Sequence, residues 1–127
     1  MKTTFKALIL AVAILATSIT ASLAQDFNKG RKAFDKADYA TALSEFRPLA
    51  EEGFALAQNN LGYMYYNGKG VIQNFVIAHM WWNIAASNGH ENAVYNRDKI
   101  AKLMTASQLE KAQELARECV QKNYKGC

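Results

Sequence analysis

Residues 57–93 read AQNNLGYMYYNGKGVIQNFVIAHMWWNIAASNGHENA, and this stretch decides the fold. Its first part places apolar residues at helical spacing, at Ala57, Leu61, Met64 and Tyr65. The Asn-Gly-Lys-Gly sequence at 67–70 ends this pattern, because glycine adopts left-handed and extended conformations at little cost. Asn74 can cap a second helix, which ends at the Asn-Gly pair 88–89. Two helices joined by a glycine-rich turn predict one unit of a stacked helical repeat, which buries its apolar face against neighbouring units.

The chain repeats this unit with a period of 36 residues. Gly53 and Gly89 have this separation, and five further pairs share it: Asp38 and Asn74, Ala42 and Ala78, Phe46 and Trp82, Ala50 and Ala86, and Ala57 and Ala93. We predict a first repeat at 27–53, whose first helix runs to Ala37, a second at 54–89, capping helices at 90–122 and a tail at 123–127. Thr105 and Gln108 form a capping box for the last helix. The predicted fold class is therefore all-α, with about six helices.

The first 24 residues have the features of a secretory signal peptide. Lys2 and Lys6 precede ten apolar residues at 7–16, and small residues then lead to Ala24. This apolar segment is too short to span the hydrocarbon core of a bilayer, which takes about 20 apolar residues. We therefore expect cleavage after Ala24 and an exported protein, periplasmic or secreted. Its mature part would be one helical-repeat domain at 25–127 without a stable membrane anchor.

The charge of the predicted mature domain is small. Its formal value is +2, because Lys2 and Lys6 belong to the leader. Basic and acidic residues are mixed along the sequence without a basic run, which argues against nucleic acid and against an electrostatic membrane clamp. We expect a protein or peptide partner of the cell envelope.

The second unit resembles the Sel1-like repeat, a relative of the tetratricopeptide repeat. The residues that carry this resemblance are Leu61-Gly62, Tyr65, Gly68, Gly70-Val71, Ala78, Trp81, Ala85-Ala86, Gly89 and Ala93. Residues 38–43 and 48–51 resemble the amino-terminal unit of exported bacterial members, and Met104-Thr105 with Gln108 and Ala112 resembles their usual ending, so the resemblance covers 27–120. It implies a short right-handed solenoid of antiparallel helix pairs used for protein–protein interaction, with Tyr65 and Trp81 in the interior. Ile72 stands where this turn often has proline, a change that should mainly loosen the turn.

Polar and aromatic side chains on the first helix of the second unit are candidates for binding. Asn59, Tyr63 and Tyr66 are placed to line the concave face, where tyrosine binds through both ring and hydroxyl with little rotamer entropy to lose. The first helix after the second unit would extend this surface with Asn92, Tyr95 and Asn96. The hypothesis is a groove that holds a peptide through asparagine amides and tyrosine rings. The alternative is an ordinary solvated face.

Two cysteines and two histidines are the remaining candidates for bonds or ligands. Cys119 and Cys127 lie eight positions apart in the predicted exported part, where a disulfide is chemically permitted. The alternative is a buried apolar Cys119 and a loose terminal thiol. His79 and His90 have no Cys, Asp or Glu at metal-ligand spacing, so we expect packing or capping roles for them. We predict no metal site and no cofactor.

Sequence motifs for catalysis are absent. The chain has no Ser-x-x-Lys, no Gly-x-Ser-x-Gly and no phosphate-binding glycine loop. We therefore predict no catalytic residue and a non-enzymatic interaction module or adaptor exported to the bacterial cell envelope. One alternative is a cell-envelope enzyme of the cysteine-rich beta-lactamase-like type, although those relatives carry a cysteine pair in most repeats. Another is a structural protein that self-associates through its first or last helix.

Overall fold

The structure, a computed structural model, describes residues 27–127. Their six helices are α1 at 27–35, α2 at Tyr39–Glu51, α3 at Ala55–Asn67, α4 at Phe75–Ser87, α5 at Glu91–Ala101 and α6 at Ala106–Gln121. Residues 27–127 contain no strand, which confirms the all-α prediction. The predicted signal peptide and its cleavage position lie outside the described residues.

Several helices begin and end at the signals that the sequence contains. The Asn74 side chain caps α4, and Asp38 caps α2. Thr105 and Gln108 form the two reciprocal hydrogen bonds of the predicted capping box, at 2.9 and 3.1 Å. Gly68 ends α3 in a left-handed conformation, with φ of 66°. These caps satisfy backbone groups that a helix end leaves without an intrahelical partner.

Two helices are shorter than the sequence pattern predicted. We expected the first helix to reach Ala37, but α1 ends at residue 35 because Ala37 is left-handed, with φ of 61°. We expected the fifth helix to include His90, but α5 begins at Glu91. The reason is that the His90 side chain lies outside the helix and accepts a hydrogen bond from a first-turn N–H at 3.3 Å.

Helix α4 lies at the centre of the packing and is buried on two sides. Trp81 belongs to a cluster with Phe46 of α2 and Leu61 of α3, whereas Trp82 belongs to a second cluster with Ile100 of α5. The two indole side chains are 1% and 2% exposed. Neighbouring residues point about 100° apart around a helix. The tryptophan pair therefore joins the first repeat to the carboxyl-terminal helices.

Gly62 allows α3 and α4 to approach closely. A Cβ atom at this position would lie 2.5 Å from both Cδ1 and Nε1 of Trp82. The same indole N–H donates a hydrogen bond to the Asn59 carbonyl at 3.1 Å. Close contact and a hydrogen bond thus hold the Trp82 ring on the α3 backbone.

Gln58 is a buried polar residue that links three helices. Its Nε2 donates to the Ala50 carbonyl of α2 at 3.0 Å, and its Oε1 accepts from Asn88 at the end of α4 at 2.9 Å. The side chain is fully buried. Both ends of its amide are satisfied, which removes the desolvation cost that an unpaired buried amide would carry.

The carboxyl-terminal tail folds back over the ends of α2 and α4. A disulfide joins Cys119 of α6 to Cys127, with Cα atoms 5.7 Å apart. Between them, the Tyr124 hydroxyl donates to the Asn88 side chain at 3.3 Å. The Lys125 ammonium donates to a carbonyl in the last turn of α2 at 3.1 Å. The tail thus connects the last helix to the first repeat.

Candidate binding groove

Helices α1, α3 and α5, the first helices of the three pairs, lie side by side. The Phe34 ring of α1 meets the Tyr63 ring of α3 edge-on, with centroids 5.8 Å apart. Asn96 of α5 donates a hydrogen bond to Asn59 of α3 at 3.3 Å. These contacts make the three helices one continuous surface, which we call the α1/α3/α5 face.

A cavity of about 380 Å³ opens on this face. Its apolar lining consists of Phe27, Phe34, Phe46, Leu56 and Tyr63, and its polar lining of Arg31, Asp35, Asn59, Asn60, His90 and Asn92. The volume lies in the range of roughly 300 to 1,000 Å³ that is usual for ligand pockets. We call this space the α1/α3/α5 cavity.

Leu56 and Tyr63 offer apolar area at the cavity. Leu56 is 42% exposed and Tyr63 is 46% exposed, although both line a concave space. Phe34 supports the Tyr63 ring from its side, with an interplanar angle of 69°. An exposed ring that a second ring already holds in place loses little rotamer freedom when a partner covers it.

Asn59 and Asn96 form an amide pair at the edge of the cavity. Nδ2 of Asn96 donates to Oδ1 of Asn59. This single bond leaves the Asn59 amide group as a donor and the Asn96 side-chain carbonyl as an acceptor. A peptide unit presents one N–H and one C=O, so the pair can bond both groups of a bound main chain.

Three of the six residues that the sequence nominated for binding line this cavity. These three are Asn59, Tyr63 and Asn92, and a fourth nominated residue, Asn96, donates a hydrogen bond to Asn59 without lining the cavity. They come from two different helices, and Tyr63 and Asn92 are 29 residues apart in the sequence. The packing of α5 beside α3 brings them together.

The other two nominated residues, Tyr66 and Tyr95, lie outside the cavity lining. The Tyr66 ring stacks on Phe75 with centroids 5.4 Å apart and lies 5.7 Å from the Trp82 ring. It therefore belongs to the packing between α3 and α4. Tyr66 lies three residues after Tyr63 on α3, so the two side chains point about 60° apart around the helix. This difference turns Tyr66 from the surface toward α4. Tyr95 lies on α5 and is 67% exposed.

Helix α1 supplies a wall of the cavity that we did not predict from the sequence. Phe27, Arg31 and Phe34 are spaced by four and three residues, so they share one face of α1. This spacing was the available signal, but it indicates only that the residues share a face. Which neighbour that face meets depends on how α1 packs beside α3.

His79 is a buried titratable group outside the cavity. It is 3% exposed, and its Nδ1 has no hydrogen-bond partner among the described residues. Burial lowers the pKa of His79, the Arg97 guanidinium lowers it further, and the Asp98 carboxylate opposes both effects. The folded protein therefore binds a proton at this site less readily than the unfolded chain does.

We expect this histidine to make the protein less stable in mild acid. An unfolded histidine has a pKa of about 6.5. The free energy of unfolding should therefore decrease as the pH falls from about 6.5 toward the lowered folded-state pKa, because the unfolded chain takes up the proton first. Urea unfolding at several pH values should show a weaker dependence for His79→Gln than for the wild type. An equal pH dependence of the free energy of unfolding in the wild type and in His79→Gln would contradict this assignment.

Comparison with known proteins identifies the family. Residues 55–90, which contain α3, the glycine-rich turn and α4, match the family model of the Sel1 repeat. A crystal structure of a protective antigen present in uropathogenic Escherichia coli strains, described as displaying an SLR fold, is similar to this chain with a TM-score of 0.74 and 30% sequence identity. The protein is a Sel1-like repeat protein. The predicted helical-repeat solenoid is thereby confirmed.

The similarity covers 80% of this Sel1-like repeat chain and 24% of the Escherichia coli antigen. The chain thus spans about a quarter of that larger structure. Among curated proteins, none matches the chain significantly.

Proteins with the Sel1-like repeat fold are generally non-enzymatic modules for protein–protein interaction. Within 27–127, no group of three or more His, Cys, Asp and Glu side chains could hold a metal ion. None of the helices that the structure describes is long and apolar enough to cross a membrane.

Proposed function

We propose that this Sel1-like repeat protein is a non-enzymatic interaction module of the bacterial cell envelope that binds an extended peptide segment of a partner protein. The α1/α3/α5 cavity carries the proposal, because exposed Tyr63 and Leu56 lie there beside the amides of Asn59 and Asn96. Apolar contact area and main-chain hydrogen bonds are the two means by which grooves bind extended peptides.

The bound segment would use the two parts of the cavity differently. An extended chain turns alternate side chains to the same face, roughly 6.5 Å apart. One apolar side chain of the partner would enter between Leu56 and Tyr63, while the adjoining peptide unit would bond the Asn59 and Asn96 amides. Arg31 and Asp35 on the α1 wall would favour a partner with both a basic and an acidic group near that position.

Two features support export as part of the proposal. The predicted leader at 1–24 has a short apolar core that follows two lysines. The Cys119–Cys127 disulfide belongs to the class of bonds that persist in oxidising compartments such as the periplasm and the extracellular space.

The test is site-specific photo-crosslinking in the native cell. A benzoyl-phenylalanine in place of Leu56 should give a light-dependent adduct with an envelope protein, since Leu56 is exposed inside the cavity. Combining Asn59→Ala with Tyr63→Ala should lower the adduct yield by about tenfold, because truncation of a tyrosine anchor typically costs more than 1 kcal/mol of binding.

The matched control lies on the other side of the molecule. Val120 and Gln121 line a separate cavity between α4 and α6, so their replacement by alanine should leave the adduct yield unchanged. An unchanged yield in the Asn59 and Tyr63 variant would refute binding in the α1/α3/α5 cavity. The crosslinked protein should begin at Gln25, and an adduct formed only on a chain that retains Met1 would refute export.

A further inference from the structure

Helix α1 and the turn that follows it carry the whole positive charge excess of the described residues. Residues 27–36 contain four basic residues and one acidic residue, whereas residues 37–127 contain nine of each. In the sequence these charges do not form a basic run, because neutral and acidic residues separate them. Lys29 and Lys32 are three residues apart on α1, and Lys36 lies four residues further on, in the turn that continues the helix through a hydrogen bond to the Lys32 carbonyl, so the three share one side.

This lysine face forms one wall of a groove between α1 and α2, which we call the lysine groove. Its volume is about 490 Å³, and Asp38 and Thr41 line its other side. No residue of α3 lines it, so the groove faces away from the rest of the stack. It is separate from the α1/α3/α5 cavity, toward which α1 presents Phe34 instead.

Two ammonium groups of the lysine groove are available to a partner. Lys29 pairs with Glu45 at 2.8 Å. Lys32 and Lys36 are exposed, and neither forms an ion pair within the described part of the chain. Asp38 is engaged as the cap of α2, where hydrogen bonds from the Thr41 side chain and backbone lower the pKa of its carboxyl.

The packing of the other helices indicates what shape of partner fits. Helix α4 packs against both α5 and α6, so the second helix of one pair lies across both helices of the next. The α1 and α2 pair is the first pair of the described chain. Its side that faces away from α3 corresponds to the surface of α5 and α6 on which α4 packs. Inside the stack this kind of surface is apolar, as Ala93, Ile100 and Ala112 show, but in the lysine groove it is cationic.

We infer that the lysine groove docks an acidic helical segment of a partner protein. Carboxylates three to four residues apart on a helix are separated by roughly 4.5 to 6 Å along its axis, the same spacing as the lysines of α1. A second copy of this chain fits less well, because the glutamates on its last helix alternate with Lys111 and Arg117. A bilayer surface fits less well, because the lysines line a concave groove.

The probe is a synthetic helical peptide with glutamate on one face, compared with the same peptide carrying glutamine. The purified oxidised protein should bind the glutamate peptide at least tenfold more tightly. Combining Lys32→Glu with Lys36→Glu should weaken this binding by about tenfold, and the milder Lys32→Gln with Lys36→Gln by several-fold. Binding should also weaken several-fold between about 0.05 and 0.3 M salt, because exposed charges are screened.

A matched pair of lysines provides the control. Lys99→Glu with Lys102→Glu makes the same charge change on exposed residues of α5 and the turn that follows it, and it should leave peptide binding within about twofold of the wild type. Circular dichroism of each variant shows whether it is folded.

Four results would overturn the inference. The first is equal binding of the glutamate and glutamine peptides, and the second is unchanged binding by the folded glutamine variant. The third is binding to phosphatidylglycerol vesicles without binding to the glutamate peptide, which would assign the groove to lipid. The fourth is a dimer in light scattering that the Lys32 and Lys36 changes abolish, which would assign the groove to a second copy.

Discussion

Replacing Gly62 with alanine should destabilise the protein by about 1 to 2 kcal/mol. The added Cβ would lie 2.5 Å from two atoms of the Trp82 ring, which is 2% exposed and packed in the second core cluster. Overpacking of this kind costs about 1 to 3 kcal/mol and occasionally more. The higher helix propensity of alanine returns about 1 kcal/mol. Urea unfolding should show the net loss as a lower midpoint with an unchanged slope.

A double-mutant cycle isolates the contact between Gly62 and Trp82. In the background of Trp82→Phe the smaller ring leaves room for the methyl group, so Gly62→Ala should cost at least about 1 kcal/mol less there. The measured coupling includes the indole hydrogen bond to the Asn59 carbonyl, because the added Cβ would lie 2.5 Å from its donor, Nε1 of Trp82. An equal cost in the two backgrounds would show that the ring does not limit the size of residue 62.

Replacing Cys127 with alanine should lower the free energy of unfolding by about 2 to 3 kcal/mol. The disulfide closes a loop with a sequence separation of 8, and its main effect is to restrict the unfolded chain. The variant should also release the tail, because the contacts of Tyr124 with Asn88 and of Lys125 with α2 depend on the tail remaining folded back. Thermal unfolding of the variant, and of the wild type with and without a reducing agent, measures this loss.

The control for this prediction keeps the disulfide and removes one tail contact. Lys125→Ala should cost less than about 1 kcal/mol, because its ion pair with Glu52 is exposed. Hydrogen exchange should be faster at the ends of α2 and α4 in Cys127→Ala and near the wild-type rate in Lys125→Ala. If reduction of the wild type leaves its unfolding midpoint unchanged, the disulfide does not stabilise the fold.

Short-range signals predicted the helices of this protein. The cap at Asn74, the capping box at Thr105 and the left-handed Gly68 each depend on residues no more than a few positions apart. Such features form within one turn of chain, so a single sequence specifies them. Ala37 shows the limit of these signals. Alanine has a high helix propensity, but Ala37 adopts a left-handed conformation and α1 ends before it.

The candidate site was predicted only where one helix supplied it. Asn59 and Tyr63 lie four residues apart on α3, and the helical period alone placed them on one face. The same period could not show that Tyr66 turns toward Phe75 and Trp82, because that depends on the side of α3 against which α4 packs. It also gave no sign of Gln58, whose burial depends on partners on α2 and at the end of α4.

By itself, the sequence determined an all-α repeat with a glycine-rich turn and the faces on which its polar residues lie. Only the tertiary structure decided that α1 closes the α1/α3/α5 cavity and that the lysines of α1 line a separate groove. The physical reason is the range of the interactions. Caps and helical periods arise from neighbouring residues, whereas a cavity depends on the rotation and spacing of helices whose contacts are distant in the chain.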